Sequence, residues 1–110
     1  MPADGETTRL AFSLIVPRTS LERYQARHAE LWPELRDSIR DQGGSNYSIF
    51  AAPKLDRVFG YVEVADLDLW RSGSDTALAT RWWRHMADLM PTNDDYSPIG
   101  MDLHEVFHQD

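Results

Sequence analysis

The spacing of apolar residues changes period along this chain, and the order of those changes limits the fold more than any other feature. In residues 9–16, Leu10, Phe12, Leu14 and Val16 alternate with Arg9, Ala11, Ser13 and Ile15. A period of two predicts a strand buried mostly on one face. Pro17 closes it, Thr19 or Ser20 can cap a helix, and Leu21, Tyr24, His28, Leu31 and Leu35 then follow at steps of three and four. That stripe is the inward face of a helix. Pro33 removes a backbone donor within it, so the helix is expected to kink or restart there, with Trp32 the last residue of its first piece. Gly43 and Gly44 end it.

Strand-like segments return in residues 46–51 and 58–64, on either side of the turn-forming Pro53 to Asp56, which predicts an antiparallel hairpin. Asp66 and Asp68 are helix starters, and Ser72-Gly73-Ser74 splits the following segment, leaving a main helix from about Asp75. Leu78, Trp82, Met86 and Leu89 are its apolar positions. Residues 91–98 form a loop rich in Asn, Asp and Pro, and residues 101–108 supply a last strand.

The resulting order, β-α-β-β-α-β, is that of a ferredoxin-like α+β fold: a four-stranded antiparallel sheet with the helices on one face. Phe50, Phe59, Tyr61 and Val106 leave apolar groups beyond what the helices cover. Pairing with a second copy, as a dimeric α/β barrel, would bury them, so a homodimer is expected. A chain of 110 residues fits one such domain, over residues 9–110, after a polar N-terminal extension of residues 1–8.

Charge and composition narrow the function classes. The formal net charge is −7, which opposes binding to phosphate backbones, and no nucleic-acid partner is expected. No run approaches the ~18 apolar residues of a membrane span, and no signal peptide is visible, so no membrane partner is expected. The chain has no cysteine, which excludes disulfides, thiolate metal sites and a cysteine nucleophile and makes the cytoplasm the expected location.

A metalloprotease-like string, His104-Glu105-Val106-Phe107-His108, is set aside. It needs helical spacing to bring both histidines to one zinc, whereas on a terminal strand they would stand roughly 13 Å apart with Glu105 on the other face. No metal site is expected. His28 is the more promising titratable group, because its helical stripe points it inward with Tyr24 one turn before it. Histidine suits proton transfer near neutral pH; the alternative is a pair of core-edge residues with local hydrogen bonds. Trp82 and Trp83 are adjacent, about 100° apart on a helix, so one core contact cannot bury both equally and one is free to line a cleft. An indole can stack on the C–H face of a sugar and donate to a hydroxyl. Packing against the sheet or a partner is the alternative, and Tyr47 shares that ambiguity.

Several motifs in fixed order resemble the L-rhamnose mutarotase family: Tyr24-Gln25-Ala26-Arg27-His28, Leu31-Trp32-Pro33-Glu34-Leu35, Gly43 with Asn46-Tyr47-Ser48-Ile49, Arg81-Trp82-Trp83 with Met86, Met90-Pro91, Ser97-Pro98, and Glu105-Val106-Phe107. The likeness runs from about Arg9 to Phe107. It implies a dimeric ferredoxin-like enzyme that needs no cofactor and interconverts the α and β anomers of L-rhamnose or a similar sugar. The resemblance also implies His28 as proton donor and Tyr24, Tyr47, Trp82 and Trp83 as sugar-binding residues. The chain departs from the family pattern in its N-terminal extension and at Tyr96 and Gly100-Met101, departures expected to bear on which sugar is preferred. Two other classes suit the same fold and pocket: a cofactor-independent oxygenase or cyclase acting on aromatic substrates, and a non-catalytic dimeric binding module.

Overall fold

The computed structural model describes residues 7–73 and 77–110. Four strands, β1 (Thr8–Ile15), β2 (Gly44–Ala52), β3 (Arg57–Val64) and β4 (Gly100–Leu103), form one sheet in the order β2-β3-β1-β4. Every pairing is antiparallel. The connecting helices are α1 (Leu21–Ala29), α2 (Pro33–Asp41), α3 (Leu67–Gly73) and α4 (Ala77–Met86). This is the ferredoxin-like order read from the sequence, with each of the two expected helical segments divided in two.

The divisions have local causes. Trp32 adopts φ −57°, ψ 130° immediately before Pro33, the extended conformation that a following proline imposes. Consequently α1 stops at Ala29, and Trp32 stands between the helices as the N-cap residue of α2 rather than at the end of α1. Pro33 itself occupies the first helical turn, where its missing N–H costs nothing. Ser20 precedes α1, but its hydroxyl makes no capping bond. Asp66 does cap, its carboxylate accepting the Leu69 N–H at 3.1 Å. The expected helix start at Asp75 lies outside the described residues. Gly43 ends the α2 region at φ +87°, a conformation that glycine adopts without penalty.

Alternation places Val58, Gly60, Val62 and Val64 of β3 on the helix-covered face, where all four are buried. Val58, with Val16, Tyr24, Met86, Leu89 and Met90, forms the core, and Leu14, Leu21, Ile49 and Trp82 pack around it. Each such aliphatic side chain contributes roughly 1.5–3 kcal/mol on leaving water. Gly60 pairs with Phe12, whose ring lies over it; a Cβ at Gly60 would fall 2.1 Å from the ring tip. Arg18 fixes the turn between β2 and β3, donating to both Asp56 carboxylate oxygens at 3.0 and 3.1 Å.

The face away from the helices carries Phe50 opposite Phe59 and Ser13 opposite Met101. Phe50 is 66% exposed and Met101 56%. The sequence reading is corrected at the C-terminus: β4 ends at Leu103, and residues 104–110 form no strand. Four residues pair with β1 and the chain then leaves the sheet. Val106 and Phe107 lie in that exposed tail rather than on the sheet. Glu105 is exposed and ion-paired with Arg9 at 2.9 Å, and His108 Nδ1 lies 3.8 Å from the same carboxylate. The expectation that Glu105 points away from both histidines therefore fails, because strand alternation does not extend to it.

Candidate active site

A cavity of about 840 Å³ lies between the helices and the covered sheet face. All five sequence-selected residues line it: Tyr24 and His28 from α1, Tyr47 from β2, and Trp82 and Trp83 from α4. Both tryptophans border the space, where the sequence argument required only one to do so.

His28 and Tyr24 meet because α1 stacks residues four apart on one face. Their rings lie 4.4 Å apart, and His28 Nδ1 is 2.9 Å from the Tyr24 carbonyl oxygen. A carbonyl only accepts hydrogen bonds, so Nδ1 carries the proton and, in the neutral ring, Nε2 carries the lone pair. Burial lowers the His28 pKa below its ordinary value, while the Nδ1–H bond to the carbonyl opposes that shift. The His28 and Trp82 rings meet in a T-shaped arrangement, 5.5 Å apart with an interplanar angle of 85°.

Both phenols are held in their protonated form. Tyr24 is almost fully buried, and its pKa is raised chiefly by desolvation, with a further contribution from Tyr47. Tyr47 leaves 39% of its surface exposed, yet burial of its hydroxyl raises its pKa to about 12. A neighbouring phenolate would be repelled, so both groups act near neutral pH as hydrogen-bond donors. Phe12 at 6.2 Å and Trp70 at 6.3 Å pack around the Tyr47 ring. Among the described residues, no Asp or Glu lines the cavity.

Several participants were not selected from sequence. Phe12, Gln25, Trp70 and Tyr96 also line the space. Phe12 was legible as an inward strand residue and Gln25 as a neighbour of Tyr24, and Tyr96 stood out only as a departure from the family pattern, whereas nothing local to Trp70 distinguishes it from a surface aromatic. Trp32 and His85 extend the aromatic cluster behind Trp82, at 5.1 and 5.5 Å from its ring. Arg27 ties α1 to the end of α4 and the segment that follows it. It donates to the His85 carbonyl at 2.6 Å and to both Asp88 oxygens at 2.6 and 3.0 Å.

Comparison with known proteins gives a consistent result. Residues 9–109 match the family model for L-rhamnose mutarotase. The chain is 41% identical over 102 residues to an L-rhamnose mutarotase of Bacillus subtilis, covering 93% of this chain and 98% of that one. With the Opitutus terrae protein of the same name the identity is 43%, at the same coverage. Among solved structures, an L-rhamnose mutarotase from Formosa agariphila superposes with a TM-score of 0.85 at 34% identity, covering 94% of this chain and 99% of that one. A monooxygenase described as putative, from Nitrosomonas europaea, shares the fold with a TM-score of 0.61 at 16% identity, over 97% of each chain.

Proposed function

The chain belongs to the L-rhamnose mutarotase family and interconverts the α and β anomers of L-rhamnose, and from that premise we propose that His28 moves the proton. The observation that carries this reading is the Nδ1–H bond to the Tyr24 carbonyl, which commits one ring nitrogen and reserves Nε2 for the sugar. Nε2 takes the proton of the anomeric hydroxyl as the C1=O1 double bond forms. The C1–O5 bond breaks with its electron pair passing to the ring oxygen, and the imidazolium then donates its proton to that oxygen. Rotation about C1–C2 and the reverse sequence close the ring in the other configuration. The anomeric and ring oxygens are both bonded to C1, so one imidazole can serve them in turn, and His28 is the proton donor of this step as well as its base.

Tyr24 and Tyr47, kept protonated, donate hydrogen bonds that orient the hydroxyls. Trp82 and Trp83 offer indole faces to the C–H side of the ring. Mutarotation proceeds in water unaided, so acid–base help of about 10²- to 10⁴-fold is enough. The proposed assembly is a homodimer in which the sheet face bearing Phe50 and Met101 meets a second copy; the support is the exposure of those side chains.

Exchange NMR on a panel of free aldoses tests the reading. Added protein should speed exchange between the anomeric signals of L-rhamnose, and unchanged exchange across the whole panel would refute it.

A further inference from the structure

Three non-glycine residues among those described have positive φ: Asn46 at 49°, Asp56 at 52° and Tyr96 at 70°. Asn and Asp tolerate this region because their short polar side chains bond locally, whereas for tyrosine it is strained backbone. Such strain persists only where the surroundings over-determine it. Here they do. The Tyr96 N–H donates to the Asn93 carbonyl at 3.0 Å, and the Asn93 N–H donates to the Ser97 carbonyl at 2.8 Å. Asn93 Nδ2 donates to Ser97 Oγ at 3.0 Å, and the Ser97 N–H donates to Asp95 at 2.9 Å.

A loop built to hold a tyrosine in an unfavourable conformation invites the question of what the ring does. Tyr96 is not a core residue, since 40% of its surface is exposed. It borders the same cavity as His28 and Trp83. The Arg84 guanidinium, next in sequence to Trp83, sits over the ring at 5.2 Å. With one face engaged by that cation, the ring is fixed as a wall instead of a freely turning side chain.

We propose that Tyr96 is a binding and specificity residue for the sugar, its ring forming an aromatic wall of the site beside the face supplied by α4. This rests on the mutarotase reading and extends it, by assigning ligand contact to a residue outside α1, β2 and α4. The ring is the operative part, because it carries the stacking surface, and the hydroxyl is secondary.

The test uses the full chain with Tyr96→Asn, Tyr96→Gly and Tyr96→Phe, measuring L-rhamnose anomer exchange as a function of sugar concentration together with thermal stability. Asn and Gly both accept positive φ, so these two variants should melt at or above the parent temperature. Their KM should nevertheless rise roughly fivefold or more, as expected for loss of one aromatic contact. Tyr96→Phe should keep KM near the parent value. A purely structural tyrosine leaves KM unchanged in all three variants, whichever way the melting temperature moves, and that result overturns the proposal. A parent protein that fails to exchange L-rhamnose anomers would instead overturn the mutarotase reading itself, so the two failures are distinguishable.

Discussion

The Nδ1 nitrogen of His28 stands 2.9 Å from the carbonyl oxygen of Tyr24, one helical turn earlier. That bond fixes the tautomer and leaves the Nε2 lone pair able to accept a proton, while burial pushes the imidazole pKa below its ordinary value. The neutral ring is therefore the resting form near pH 7, as a group that first accepts a proton requires.

The sign of the pH dependence follows. Activity should be level from about pH 7 to pH 8 and fall about tenfold per unit once the pH drops below the His28 pKa. NMR titration of the imidazole and exchange rates corrected for the spontaneous reaction should give the same midpoint. A rate that climbs on acidification through that midpoint would identify the imidazolium as the starting form instead.

The two phenols should behave differently from the imidazole. Tyr24→Phe and Tyr47→Phe each remove a donor but leave the proton-moving group in place, so the loss should appear mainly as raised KM, about 5- to 20-fold. Saturation curves from exchange NMR separate the terms. A loss confined to kcat would make a phenol part of the proton relay.

How much of this was legible beforehand depended on whether a residue's role is written in local periodicity. Tyr24, His28, Leu31 and Leu35 follow one helical stripe, and all four line the cavity even though Pro33 breaks the helix between them. The stripe survives because α2 resumes directly after the break. The C-terminal segment misled for the converse reason: apolar residues at Val106 and Phe107 resemble a strand, but β4 has only four residues paired with β1 and the chain leaves the sheet after Leu103. Tyr96 and Trp70 reach the cavity through tertiary placement alone, which a period cannot encode.

The Arg27–Asp88 pair should report on acid stability. Arg27 holds the Asp88 carboxyl down to about 2 from an ordinary 3.8. A folded-state pKa below the unfolded one gives stability that is present above pH 3.8 and lost as pH falls toward 2. Asp88→Asn should thus lower the melting temperature at neutral pH, with the difference from the parent closing on acidification. A difference that stays constant with pH would mean that the ion pair is not its source.

Sedimentation should give twice the chain mass of 12.7 kDa. Placing charges on the bare sheet face by Phe50→Asp with Met101→Asp should shift the protein toward the single-chain mass. If the parent sediments as one chain at micromolar concentration, the proposed dimer is wrong.

The most direct test of the proton-transfer assignment is anomer exchange of L-rhamnose by His28→Ala at saturating sugar. The variant should bind the sugar, keep its fold by circular dichroism, and turn over at least about 10²-fold more slowly than the parent. Exchange at the parental rate would contradict the account, because no other group in the cavity is assigned to carry the proton.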